Sequence, residues 1–356
     1  VLAGARFEET NVRGEGALQA LTPEERARRA AFSGPLTDAE IIRRNLAEYG
    51  GRQVRTGTYR NVLPGIHLKY AFTPRLIARA SWATNVGRPG IGQLIPRTTV
   101  NFDAKTITTS NPALKPQTSD NFDLAAEYYF EPAGVVSVGL FQKQLRDFIF
   151  TAGGLTVGTG ADNGFNGDYA GYTLTTQYNG GFARVRGLEL GYNQQFTFLP
   201  GALKGLSASF NYTWINQHGV GSAATPGGTP ILGREPTATT PAVYFSRRDI
   251  ANFIPAAANA SLSWRYQKFN TSLLYNFTGE NPTSISILTP ALNQYRYSMK
   301  TLNVSAGYQY RPNVGFSLNA SNILNEPQRW YVGYKDRMRR TTINFVTITA
   351  GVNGRF

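Results

Sequence analysis

The feature that most limits what this chain can fold into is a hydrophobic period of two that recurs along most of its length. Near the carboxy terminus, Val346, Ile348, Ala350, Val352 and Phe356 fall on one side, and Thr347, Thr349, Asn353 and Arg355 on the other. Leu302, Val304, Ala306, Tyr308 and Tyr310 repeat the pattern, as do Val314, Phe316, Leu318 and Ala320 after a turn at Pro312-Asn313. Strict alternation of this kind describes strands with one apolar face. Similar segments run at 258–266, 269–277, 206–214, 188–196, 136–150, 122–130, 76–84 and 66–72, with a first strand at Ala3, Ala5 and Phe7. The reading is about twelve strands.

The connections alternate as regularly as the side chains. Tight turns at Thr73-Pro74, Glu131-Pro132-Ala133-Gly134, Pro200-Gly201, Gln267-Lys268 and Pro312-Asn313 take turns with long polar loops near 10–60, 86–120, 152–182, 216–254, 280–297 and 331–343. Short turns on one rim and long loops on the other describe an antiparallel transmembrane β-barrel. A soluble all-β sandwich has no reason to alternate its loop lengths in this way. The aromatic residues support the membrane reading, because they sit at the ends of the apolar faces as interfacial girdles do. Tyr308, Tyr310, Tyr266, Phe196 and Phe130 are expected near one rim, and Trp214, Phe277 and Trp82 nearer the other.

Composition is compatible with this only because a barrel conceals its membrane signal in alternation. Mean hydropathy is -0.29, and no stretch approaches the run of about 20 apolar residues that a membrane helix requires. The absence of cysteine removes disulfides, thiolate metal sites and cysteine nucleophiles together. A formal charge of +14 raises nucleic-acid binding. The basic residues are scattered among strands and loops, however, which suits an anionic lipid layer better, and no nucleic-acid partner is expected. The chain begins at Val1 without a basic n-region, an apolar core or an initiating Met.

Helical text interrupts the loop at 10–60. Thr22-Pro23-Glu24-Glu25 and Thr37-Asp38-Ala39-Glu40 both fit a capping box, the first with Pro at the first helical position. Short helices in an outer loop are expected. A helix-turn-helix built on Arg26, Arg28, Arg29, Arg43 and Arg44 is the weaker reading, because no third packing helix is in evidence.

Several segments resemble TonB-dependent receptors. The stretch from Ser110 to Leu124, with Asn111-Pro112-Ala113-Leu114-Lys115-Pro116 at its heart, is similar to a signature of that family. So are Ala80-Ser81-Trp82 leading to Arg88-Pro89, Val185-Arg186-Gly187-Leu188-Glu189, Asn322-Ile323-Leu324-Asn325 and the terminal Phe356. The resemblance implies a 22-stranded barrel closed by an amino-terminal plug. About twelve strands cannot make that barrel, and an open half-barrel would leave unpaired edges in lipid. Residues 1–356 are therefore expected to be the carboxy-terminal part of such a barrel, with the plug, the TonB box and the first strands outside this sequence. The resemblance further implies a multi-pass protein of the cell outer membrane, partnered by the TonB complex through that missing segment, by outer-membrane lipid and by a small-molecule ligand. It also implies a monomer, since one full-length chain closes the barrel. Phe356, at the end of an amphipathic last strand, resembles the signal read by the barrel-assembly machinery through strand pairing.

No catalytic constellation emerges, and no enzyme activity, cofactor or metal is expected. His67 and His218 are far apart, without an acid or nucleophile in a recognised arrangement. Asp120, Asp123 and Glu127 suit lumenal salt bridges better than a hydrolytic pair. Gly158-Thr159-Gly160 and Gly227-Gly228 lack the strand-to-helix context of a phosphate loop. Arg88, Asn111, Lys115, Trp330 and Tyr331 are the candidates for ligand contact, since arginine and aromatic side chains stack on and ion-pair with siderophores, cobalamin-like compounds or sugars. The function expected is active uptake of a scarce nutrient such as a siderophore, vitamin or oligosaccharide. The alternatives are a passive porin-like channel and a barrel-anchored enzyme or adhesin.

Overall fold

A strand with one apolar side and one polar side is stable only if its backbone groups are paired and its two faces meet different surroundings, and the computed structural model meets both conditions. It describes the chain except residues 19–20, 36, 112–113, 161–162, 164, 166, 180–181, 221, 225–241, 245–250, 286–289 and 355–356. Twelve strands form one antiparallel sheet in sequence order. They are β1 (Leu2–Leu18), β2 (Gly51–Ala71), β3 (Leu76–Gly87), β4 (Gln117–Phe130), β5 (Gly134–Arg146), β6 (Phe182–Gln195), β7 (Leu206–Val220), β8 (Ala256–Tyr266), β9 (Phe269–Thr278), β10 (Met299–Arg311), β11 (Val314–Ser321) and β12 (Thr347–Gly354). The strand count and the alternation of short and long connections agree with the sequence reading.

The register extends the alternation across the whole sheet. Leu68, Ala80, Leu124, Leu140, Leu188 and Trp214 are cross-strand neighbours in one row. Ala208, Leu262, Leu273, Val304, Ala320 and Ile348 form another. One residue along, the row reads Ser207, Ser263, Ser272, Ser305, Asn319 and Thr349. The polar face is stitched by Ser272–Ser305 at 2.7 Å, Ser209–Ser261 at 2.6 Å and Asn259 to Asn211 at 2.8 Å.

Burial is inverted relative to a water-soluble protein. Leu124 and Leu318 are 54% and 50% exposed, whereas the buried apolar side chains among the described residues include Val100, Ile107, Val157, Leu174 and Tyr331, all in the loops. A continuous exposed apolar face of this extent requires a partner, and alternation across an antiparallel wall of this kind makes that partner the lipid. The short-turn rim carries the expected girdle. Ring pairs form between Trp264 and Tyr266, Phe269 and Tyr308, Tyr128 and Phe130, and Phe196 and Phe198. The indole N–H of Trp264 donates to the Ala202 carbonyl at 2.9 Å, so its polar edge is satisfied at the interface.

Two differences from the sequence reading have clear causes. The stretch expected as a loop at 10–60 is strand as far as Leu18 and again from Gly51, and only the segment between is loop. These extensions lie above the apolar band, where nothing enforces alternation, and are held by pairs such as Arg60–Glu9 and Arg52–Glu15. The strand expected through 136–150 instead ends at Arg146, because Asp147 adopts a positive φ of 53° and turns the chain into a separate loop strand.

The glycine of Val185-Arg186-Gly187-Leu188-Glu189 has a packing reason. A Cβ at Gly187 would lie 2.5 Å from the Phe141 ring and 2.4 Å from the Trp214 carbonyl, so only glycine admits the neighbouring ring over the backbone.

Leu262 lies near the middle of β8 on the apolar face and Ser263 beside it on the polar face. Leu262→Arg is expected to cost roughly 2–4 kcal/mol of assembly near the midplane, with Ser263→Arg mild. Reversible folding into lipid vesicles measures both, and equal costs would break the facial assignment.

Candidate ligand-facing loop assembly

The long loops are folded in their own right. The loops after β3 and β5 combine into a four-stranded sheet of Thr98–Asn101, Thr106–Thr109, Thr173–Asn179 and Ile149–Thr156. Its centre is a parallel pairing of Thr106–Thr108 with Thr173–Thr175, one strand from each loop. Val100, Ile107, Val157 and Leu174 make its core, with Phe165, Tyr169 and Tyr172 packed against them.

Asn111 and Lys115, ahead of β4, clamp this sheet to the barrel wall. The Asn111 side-chain amide donates to the Gln177 carbonyl at 2.9 Å. The Lys115 N–H donates to Asn179 Oδ1 at 2.6 Å, and Asn179 returns a bond to the Lys115 carbonyl at 2.7 Å. Leu114 between them is buried. Arg88, just past β3, pairs with Glu8 of β1, which also takes Arg6. Asn111, Lys115 and Arg88 thus hold loops in place.

The first long loop supplies two helices, α1 (Pro23–Ala31) and α2 (Asp38–Tyr49), where the capping boxes place them. Thr22 and Thr37 accept from the N–H groups of Glu25 and Glu40. The arginines that suggested a nucleic-acid helix turn toward acids, three of them on the partner helix. Arg43 reaches Glu25 at 2.6 Å, Arg29 reaches Glu48 at 2.9 Å, and Arg28 joins Glu25 to Glu40. Arg26 pairs with Asp168 of the loop after β5, tying the helices to the neighbouring loop sheet. A short helix α3 (Ile91–Leu94) leads the next loop across β1. A Cβ at Gly16 would fall 1.9 Å from the Pro96 carbonyl, so the close crossing depends on that glycine.

A second loop sheet orders Asn281–Ser284, Gln294–Arg296, Gln328–Val332 and Tyr334–Thr342. Trp330 and Tyr331 are adjacent on one of its strands and so point to opposite faces. Tyr331 is buried, stacks on Tyr295 at 4.9 Å and meets Tyr297 edge-on. Its hydroxyl donates to Glu280 Oε1 at 2.6 Å, while Glu280 Oε2 takes Lys335 at 2.9 Å. Burial, followed by the bond to Glu280, pushes the phenol well above its ordinary range. On the other face, the Arg340 guanidinium lies 3.9 Å over the Trp330 ring, a close cation–π contact. Arg329 stands 5.2 Å from the Tyr297 ring.

The structure thus places Trp330 with Arg340 on one face of this loop sheet and Tyr331 with Tyr295, Tyr297 and Glu280 on the other, and places Arg88, Asn111 and Lys115 in loop clamps elsewhere. Tyr295, Tyr297, Glu280 and Arg340 were not singled out from the sequence. The basic run Arg337-Met338-Arg339-Arg340 inside an expected loop was the available signal. His67 faces the polar side of the sheet and His218 the apolar side. Among the described residues no group of histidine and acid side chains suits a metal. Phe356 lies outside the described residues.

Comparison with known proteins follows from this geometry. Residues 1–325 match the family model described as TonB dependent receptor-like, beta-barrel. No curated protein matches the chain. Among solved structures, a double mutant of the Serratia marcescens hemophore receptor, in complex with its hemophore and heme, is 15% identical with a TM-score of 0.57, covering 99% of this chain and 48% of its own. A ferric enterobactin receptor mutant of Pseudomonas aeruginosa, in complex with enterobactin, is 16% identical with a TM-score of 0.56, covering 85% and 42%. A siderophore receptor of Acinetobacter baumannii is 14% identical with a TM-score of 0.54, covering 85% and 37%. At these identities the likeness is one of fold, and the chain spans less than half the length of each structure.

The α1–α2 pair is expected to be acid-labile. Glu25 and Glu40 are held below the ordinary carboxylate value of 4.5, chiefly by hydrogen bonds from Arg29 and Arg28 respectively. A depressed folded-state pKa means that this stabilisation is complete above the ordinary value and is lost as pH falls through the lowered ones. Protection of the helical amides of α1 and α2 against hydrogen exchange, corrected for the intrinsic rate at each pH, should hold down to that value and fall below it.

Proposed function

The chain belongs to the TonB-dependent receptor β-barrel family, and on that premise we propose that residues 1–356 are the carboxy-terminal part of a receptor for active uptake of a scarce nutrient across the outer membrane. The observation that carries this reading is a twelve-stranded wall, apolar without and polar within, roofed on its long-loop side by folded sheets that present aromatic and arginine side chains. The wall supplies a conduit and the roof supplies recognition. The family is one of receptors and transporters, and the reading adds no bond chemistry to this chain.

Ligand capture is assigned to the second loop sheet. Trp330 with Arg340 forms a flat cationic surface suited to an anionic, ring-bearing compound, as cation–π and guanidinium stacking favour. Tyr331, buried on the opposite face with its hydroxyl fixed by Glu280, supports that surface from beneath. Arg88, Asn111 and Lys115 keep the neighbouring loops in register and act on ligand through that placement. Iron chelates head the candidate cargo, in line with the ferric enterobactin, siderophore and hemophore receptors that share the fold, with vitamins and oligosaccharides as further candidates. The remaining partners are the TonB complex, engaged through a plug-bearing amino-terminal segment of a 22-stranded monomer, and the barrel-assembly machinery, reading the last strand to Phe356.

The test uses the full-length receptor in cells with and without TonB, supplied in turn with ferric enterobactin, heme and ferric citrate. Accumulation of at least one that disappears without TonB is the expected result. TonB-independent accumulation together with steady conductance in planar bilayers would instead establish a passive channel. Trp330→Ala should weaken binding of the accumulated compound about tenfold, the loss of one good stacking contact, at unchanged surface expression.

A further inference from the structure

Two arginines stand on the lipid-facing side of the sheet at the height where the membrane should end. Arg184 and Arg186 share the outward face of β6 with Leu188 and Leu190. Counting from Gln194, the last outward residue before the short turn, they are the eleventh and ninth residues of the strand. A tilted spanning strand needs about 9–11 residues, so both guanidiniums fall at the outer boundary of the apolar band.

Their neighbours form a polar grid. Gln144 and His218 flank Arg184, and Gln142 and Asn216 flank Arg186. Beneath the grid lie Leu140, Leu188 and Trp214 of the apolar face. On the inward side, Ala183 and Val185 are buried, so the arginines have no route to the lumen. Two other arginines near this rim have acidic partners: Arg146 pairs with Asp120, and Arg88 with Glu8. Among the described residues Arg184 and Arg186 make no ion pair. Asn216 Oδ1, at the same height, is buried without a hydrogen-bond partner. Further round the wall Lys300 occupies the equivalent boundary position, eleventh from Tyr310 and beside Phe277 on the same face.

Two arginines rooted about 7 Å apart along one strand, set over an apolar band and flanked by amides, match an anionic headgroup whose acyl chains run down that band. Arginine binds phosphate oxygens in a bidentate, charge-assisted way. We propose that Arg184 and Arg186, with Gln142, Gln144, Asn216 and His218, form a binding site for the phosphate-bearing headgroup of an outer-leaflet glycolipid. The site rests on the outward assignment of the apolar face and is separate from the loop sheets assigned to cargo.

The experiment places the full-length receptor in phosphatidylcholine nanodiscs doped with diphosphoryl lipid A and counts bound lipid by native mass spectrometry. Arg184→Gln/Arg186→Gln should bind about tenfold less or weaker still, and Arg184→Lys/Arg186→Lys should retain most of the binding. Wild type should bind dephosphorylated lipid A as poorly as the glutamine variant binds the intact lipid, a comparison that requires no variant to fold. Millimolar inorganic phosphate should not displace the lipid. Unchanged binding by the glutamine variant, equal binding of the dephosphorylated lipid, or full displacement by inorganic phosphate would each overturn the proposal. Quenching of Trp214 fluorescence by brominated acyl chains separates the two levels of failure. A quenched Trp214 with no phosphate dependence refutes the headgroup site alone, whereas an unquenched Trp214 refutes the outward assignment on which it rests.

Discussion

Lipid offers no hydrogen bonds, and everything else in this structure follows from that. A backbone that enters hydrocarbon must have its N–H and C=O groups paired before any side chain matters. Ten of the twelve strands meet the requirement with a neighbour on either side in an unbroken antiparallel ladder, and β1 and β12 stand at its two ends. Pairing in register then aligns like with like. Because the side-chain period is two, a one-residue slip anywhere would put a row of serines and asparagines into lipid. The same constraint explains why the fold tolerates so polar a composition. Only one face of each strand needs to be apolar, and the other can be built from small hydroxyl and amide side chains that bond across strands.

Above the membrane the constraint is lifted and ordinary protein physics returns. The loops bury a core, cap their helices and join their charges. Ion pairs between α1 and α2 and between α1 and the first loop sheet hold elements that have little apolar surface to share. Exposed pairs of this sort contribute little singly, but here they recur on the same few glutamates. A carboxylate held by several arginines is positioned by all of them, which favours one arrangement of the helices over others.

The legibility of the sequence divides along the same boundary. The twelve wall strands can be read because water on one side and lipid on the other impose alternation residue by residue. The helices can be read because Thr22 and Thr37 are cap residues with acids three positions on. The loop strands cannot be read in this way. Thr98–Asn101 and Thr106–Thr109 are short and rich in threonine, and the partner that completes their sheet lies in another loop. The upper parts of β1 and β2 were hidden for a related reason, since charges on both faces give no period. At the candidate site, Trp330 and Tyr331 were visible as residue types. Their setting was not, because Glu280, Tyr295 and Arg340 reach them from other strands. Asn111 and Lys115 stood out through a motif whose visible work here is to fasten one loop to another.

The parallel pairing at the centre of the first loop sheet has a kinetic consequence. Its two strands belong to loops that must each cross the bilayer before they can meet, with β4 and β5 threaded between them. The joined core around Ile107 and Leu174 is complete only when both loops have crossed. Non-local contacts of this kind form late and slowly. The cap therefore locks only after both loops stand on the same side of the wall, so that its closure is the last contact of this region to form.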